Sequence, residues 1–106
     1  MLDFLLIGDT YHGVIRSFAD KRTAAIWADR TPKGFPSDLA KAARRKLRMV
    51  AAASQIEDLR SPPGNHLEAL AGDRAGQHSI RVNDQWRLCF VWRDGHAYDV
   101  GIVDYH

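Results

Sequence analysis

The clearest pattern of apolar and polar positions lies between Gln77 and His106. Three runs alternate: Gln77-His78-Ser79-Ile80-Arg81-Val82, then Trp86-Arg87-Leu88-Cys89-Phe90-Val91-Trp92, then Ala97-Tyr98-Asp99-Val100-Gly101-Ile102-Val103-Asp104. Alternation with period two marks strands that bury one face. Asn83-Asp84-Gln85 and Asp94-Gly95 separate the runs, and Asp-Gly is a strong hairpin signal. The pattern predicts an antiparallel meander. A three-residue loop at 83–85 sets Val82 opposite Trp86. Ile80, Val82, Trp86, Leu88, Phe90 and Trp92 then share a core face. Ser79, Arg81, Arg87 and Cys89 share the other face, as in a half-solvated sheet.

Upstream the period changes. Val14-Ile15-Arg16-Ser17-Phe18 reads as a first strand. Asp20 can cap a helix over 21–29 that carries Ala24, Ala25, Ile26 and Trp27. Thr31-Pro32-Lys33-Gly34-Phe35-Pro36 ends it. Ser37 is then the expected cap of a longer helix running to about Ala53, with Leu39, Ala43, Leu47 and Val50 as its buried stripe. Lys41, Arg44, Arg45 and Arg48 form a basic stripe on another face, either solvated or aimed at phosphate or a partner. Ser54 to Leu59 reads as a short capped turn and Ser61-Pro62-Pro63-Gly64-Asn65 as a rigid loop. His66 to Leu70 reads as a short strand. Ala71-Gly72-Asp73-Arg74-Ala75-Gly76 is a compact loop able to present Arg74 to an anion. The order of elements gives an α+β fold: an N-terminal strand and two helices packed on one face of a small antiparallel sheet.

At 106 residues the chain fits one domain. Its 45% hydrophobic and 26% charged content describes a globular protein rather than a disordered one. No apolar run approaches the ~18 residues of a membrane span. Cys89 is the only cysteine, so no intrachain disulfide can form; in mid-strand it reads as a small packing residue. No metal-ligand spacing occurs, and no cofactor is called for. Met1 to Gly13 contains the apolar run Phe4-Leu5-Leu6-Ile7 without a basic flank, a poor signal peptide. The segment is either an extra edge strand or an extension outside a domain spanning 14–106. The second reading is preferred, because Val14–Phe18 already supplies a first strand. The net charge is +2. Setting aside Asp3 and Asp9 leaves 15 basic and 11 acidic residues, a net of +4 over 14–106. Eleven of the basic residues are arginine, the side chain suited to bidentate phosphate contact.

The chemistry-bearing residues gather near the chain end. Metal-free RNA cleavage needs a base for the 2′-hydroxyl, an acid for the leaving oxygen, and cations for the charge on phosphorus. Asp104, Tyr105 and His106 supply a carboxylate, a phenol and an imidazole. Arg81 and Arg87 lie on the neighbouring face, and Arg74 on the preceding loop. In a regular strand Tyr105 points away from the side shared by Asp104 and His106. The competing reading is a frayed terminus with no role.

The run from Pro62 to Phe90, with its Gly72-Asp73-Arg74 and Trp86-Arg87 segments, resembles HigB-type toxins of the RelE/ParE superfamily, also called plasmid maintenance killer proteins. The terminal Val103-Asp104-Tyr105-His106 and the opening Ile15-Arg16-Ser17-Phe18-Ala19-Asp20-Lys21 match as well, so the likeness covers about 14–106. It implies a cytoplasmic, ribosome-dependent endoribonuclease cutting mRNA in the A site. It also implies a HigA-type helix-turn-helix antitoxin that silences the toxin, and a complex that binds operator DNA. By position, His106 would move the proton. Asp104 would act as second acid/base or orient the imidazole. Tyr105 would stack on a base or bond the backbone. Arg87 and Arg74 would hold the scissile phosphate. Arg81, Arg45 and Arg48 are further candidates for RNA phosphates. Glu68 and Ala71 stand where family members often carry histidine and lysine, so Glu68 or His66 is a candidate replacement base, and His66 is otherwise a phosphate contact or merely a surface residue. The alternatives are a non-catalytic, gyrase-directed toxin or a protein acting mainly within an operator-binding repressor complex.

Overall fold

The computed structural model describes residues 13–105, so the expectations for the first twelve residues and for His106 fall outside it. Two helices, α1 (Lys21–Trp27) and α2 (Ser37–Ala52), cover one face of a four-stranded antiparallel sheet. Its strands are β1 (Glu68–Ala69), β2 (Gln77–Arg81), β3 (Trp86–Arg93) and β4 (His96–Asp104), side by side in chain order.

The meander follows the alternation. Ile80 pairs with Leu88 and Arg81 with Arg87, and Val82 N donates to Trp86 O at 2.9 Å, so the loop at 83–85 has the expected length. Asn83 Oδ1 closes it by accepting from Gln85 N at 2.9 Å and Trp86 N at 2.8 Å. Ile80, Val82, Leu88 and Phe90 are buried with Val100 and Ile102 against Ile26, Leu39, Ala43, Leu47 and Val50. Trp86 and Trp92 pack at the rim of this core. No helix among the described residues is long and apolar enough to cross a membrane.

The N-terminal segment pairs with β4 through two isolated parallel bridges, Ile15 to Ala97 and Phe18 to Val100, rather than as a continuous strand. The interruption has a cause. The β3–β4 register shifts between Cys89 and Val91, and Asp99 on β4 adopts a left-handed φ of 53°. Ser17 fills the gap: Asp99 N donates to its Oγ at 2.9 Å. Ala97 N and Val100 N donate to Val14 O and Ser17 O. Past Ala19 the chain turns, and Thr23 Oγ1 accepts from Ile102 N at 3.1 Å while donating to Asp20 Oδ1 at 2.8 Å. Asp20 also caps α1 by accepting from Thr23 N at 2.7 Å. The first turn of α1 thus takes up the Ile102 N–H on the outer edge of β4. Gly101 allows this close approach, since a Cβ there would sit 3.0 Å from Ala19 Cβ.

Several expectations need correction. Helix α1 stops at Trp27, and Asp29 turns left-handed at φ 69°. Ser37 is the first helical residue of α2, not its cap. Pro36, at φ −58° and ψ 134°, holds the cap position, and its carbonyl accepts from Ala40 N at 3.0 Å. Arg44 leaves the solvated stripe: its side chain is 13% exposed, donates to the carbonyls of Ile26 and Arg30, and pairs with Asp29 at 3.2 Å. β1 begins only at Glu68, because His66 is left-handed at φ 45° and cannot continue a strand. Ser79 and Cys89 are buried although they lie on the outer sheet face.

Thr23→Val keeps the shape and removes the hydroxyl, leaving the Ile102 N–H without its partner. Urea unfolding should show a loss of about 1–3 kcal/mol. Unchanged stability would mean that this bond does not hold α1 to β4.

Candidate functional site

Arg87 anchors the outer face. Its side chain is only 11% exposed, and a guanidinium that far from water must be hydrogen-bonded. Nε donates to Ser79 Oγ at 2.8 Å. Nη2 donates to the His66 carbonyl at 2.5 Å and to the Ser79 carbonyl at 3.3 Å. The Glu68 carboxylate lies 3.8 Å from Nη2. No described residue accepts from Nη1.

The His66 carbonyl reaches Arg87 because the preceding loop is pinned from inside. Asn65 is fully buried. Its Nδ2 donates to the carbonyls of Leu59 at 3.2 Å and Ser61 at 3.4 Å, and its Oδ1 accepts from Lys46 Nζ at 2.6 Å. The left-handed turn at His66 then sends the chain into β1. The His66 side chain remains exposed.

Tyr105 joins Arg87 through strand register. Val103 pairs with Arg87, and Tyr105 lies two residues further along the same face. Tyr105 N donates to Gln85 O at 2.6 Å. The Arg87 guanidinium carbon lies 6.0 Å from the Tyr105 ring centre. Asp104 points the other way. It pairs with Trp86 at the end of the helix-covered face, and its carboxylate accepts from Gln85 Nε2 at 3.1 Å. Nearby, the Arg22 guanidinium stacks 5.3 Å from the Phe35 ring centre and 5.7 Å from that of Trp86.

The remaining candidates divide. Arg81 stands directly opposite Arg87 on the same face and pairs with Asp84. Arg74 donates to Gln77 Oε1 at 3.0 Å. Burial pushes the Cys89 thiol up, while the charges of Arg74 and Arg87 pull it back only in part. Cys89 therefore stays protonated near neutral pH and is a packing residue, not a nucleophile. Arg45 and Arg48 are exposed on α2. No hydrogen bond or ion pair links Arg48 to the sheet among the described residues. The structure thus gathers Arg87, Tyr105, Glu68, Arg81 and the His66 backbone, and separates Asp104 and Arg48 from them. Among the described residues no three His, Cys, Asp or Glu side chains cluster as metal ligands.

Sequence reasoning missed Asn65, Lys46 and the bond from Arg87 to Ser79. Placing Ser79 and Arg87 on one face was the available signal for the last. Nothing in the helical spacing marked Lys46. Chemically, the gathered face offers a positioned guanidinium with a free edge, an aromatic ring beside it, and a second arginine across the strand pair. Such a set suits a phosphate and an adjoining base.

Residues 16–106 match the family model described as the RelE-like toxin of type II toxin–antitoxin system HigB. The chain is 48% identical over 81 residues to Toxin HigB-1 of Vibrio cholerae, covering 76% of this chain and 85% of that protein. It is 42% identical over 79 residues to an uncharacterized protein of Haemophilus influenzae, covering 66% and 78% respectively. It is 30% identical over 93 residues to Endoribonuclease HigB of Proteus vulgaris, covering 88% of this chain and 100% of that protein. The chain therefore belongs to the HigB-like family, RelE-like toxins of type II systems in which a toxin is paired with an antitoxin.

Proposed function

We propose that the protein is a ribosome-dependent endoribonuclease that cuts mRNA during translation and is neutralised by a HigA-type helix-turn-helix antitoxin. The observation that carries this reading is the fixed Arg87 guanidinium, tied to Ser79 and His66 with the Tyr105 ring beside it. The Proteus vulgaris relative, named an endoribonuclease, supports the activity.

In this reading the free edge of Arg87 meets the scissile phosphate, where a preorganised cation acts on charge that develops in the transition state. Arg74 reinforces the field from the Gly72–Arg74 turn. Tyr105 stacks on a base or bonds the backbone. His106 transfers the proton, a task an imidazole performs near its ordinary pKa of about 6.5. Asp104 sits across the strand end from Arg87, so it orients the terminal residues rather than touching the phosphate. Glu68 and His66 flank the site as candidates for a second acid/base. No metal takes part. A net charge of only +2 suits an enzyme whose substrate the ribosome positions, rather than one that seizes free RNA. The working domain is 14–106, the place of action is the cytoplasm, and the toxin–antitoxin complex binds operator DNA.

His106→Ala, and deletion of 104–106, should lower translation-dependent cleavage by about 10²–10⁴-fold and leave antitoxin binding intact. Mapped transcript 5′ ends and co-purification read the two effects. Persistent cutting by the deletion variant contradicts the assignment. Arg87→Ala should lower cleavage by about 10²–10³-fold, far more than Arg48→Ala. Equal losses would mean that general basicity, not a placed guanidinium, does the work. A chain beginning at Val14 should keep its fold and its cleavage; loss of either would place residues 1–13 inside the working domain.

A further inference from the structure

A second cationic group lies beside Arg87 and is not used by the mechanism above. It is built on Lys46 of α2. The Lys46 ammonium carries three donors and no acceptor. One donates to Oδ1 of the buried Asn65 at 2.6 Å, which fixes the head group against the loop. Among the described residues no carboxylate pairs with it. Burial lowers the Lys46 pKa, and the charges of Arg45 and then Arg81 lower it further. Arg81 in turn stands directly opposite Arg87, a cross-strand pairing of like charges that costs stability.

The connections are continuous. Lys46 holds Asn65, the next carbonyl along is held by Arg87, and Arg87 faces Arg81 across the ladder. Lys46 and Arg87 thus both hold the loop at 63–66, with Arg81 opposite Arg87 on the ladder and Arg45 next to Lys46 on α2. Among the described residues, the carboxylates against them are Asp84 on Arg81 and the 3.8 Å Glu68 on Arg87. A loop clamp alone would need only one neutral donor to Asn65. It would not need an uncompensated ammonium beside two guanidinium groups. An anion placed between them relieves the repulsion.

We propose that Lys46, Arg45 and Arg81 form a second phosphodiester subsite, next to the Arg87 position, that binds a neighbouring backbone phosphate of the same single strand. That the strand is mRNA rests on the endoribonuclease reading; the subsite itself does not.

The test is binding of a non-cleavable 2′-deoxy oligonucleotide to the intact protein across a salt series. Each phosphate contact on a single strand contributes about 0.7 to the slope of log K against log salt. The double change Lys46→Gln with Arg45→Gln should flatten the slope by about that amount, each single change should flatten it by part of it, and Lys46→Arg should restore the slope lost in Lys46→Gln. Lys33→Gln, an exposed lysine elsewhere, should leave it unchanged. Because Arg45 makes no contact that holds the loop, its variant reads the subsite even if Lys46→Gln loosens the loop at 63–66. Wild-type slopes in both Lys46→Gln and Arg45→Gln would overturn the subsite, even in a toxin that cleaves mRNA normally. The predicted slopes in a protein that fails to cut ribosome-bound mRNA would keep the subsite and remove the endoribonuclease reading.

Discussion

A guanidinium that is nearly out of water cannot be left without acceptors, and much of this structure follows from meeting that demand at Arg87. Ser79 must be a hydroxyl residue on the adjacent strand. The chain before β1 must bring a carbonyl to the sheet, which it does by turning left-handed at His66 after the buried Asn65. These bonds consume Nε and Nη2, and among the described residues nothing accepts from Nη1. The arginine is thereby held in one orientation before any substrate arrives. A flexible surface arginine would have to lose that freedom on binding.

The fold supplies the platform through a different economy of polar groups. The outer edge of β4 would expose a row of backbone donors. The bridges at Ile15 and Phe18, the Ser17 hydroxyl at the bulge, and Thr23 at the α1 cap take them up in turn. With that edge closed, β4 continues past its irregularity at Asp99 to Asp104 and brings Tyr105 to the face of Arg87. Sheet regularity therefore sets which terminal side chain meets the arginine and which turns toward Trp86.

The β2–β3 hairpin was legible because period-two alternation and the turn residues at 83–85 determine its register, whereas the shift of β4 against β3 between Cys89 and Val91 left no mark in the alternation. The buried stripe of α2 was legible for the same reason, at helical period. Less was visible where long-range bonds decide. The left-handed turn at His66 and the burial of Asn65 depend on groups far off in sequence. Arg44 looked like its neighbours Arg45 and Arg48, yet the end of α1 offers it carbonyls and it folds inward. Lys46 carried no periodic mark, because its partner is a loop amide rather than a helix neighbour. The likeness to HigB-type toxins pointed to the terminal residues and to Arg87. It could not say that Asp104 and Arg87 end on opposite faces.

The most direct measurement is a structure of the toxin bound to a translating ribosome carrying an A-site codon blocked by a 2′-deoxy substitution. The account predicts a message phosphate within hydrogen-bonding distance of Arg87 Nη1, with the Tyr105 ring against the neighbouring nucleotide. A message running instead along the Arg22–Phe35–Trp86 face, with Arg87 touching protein alone, would contradict it.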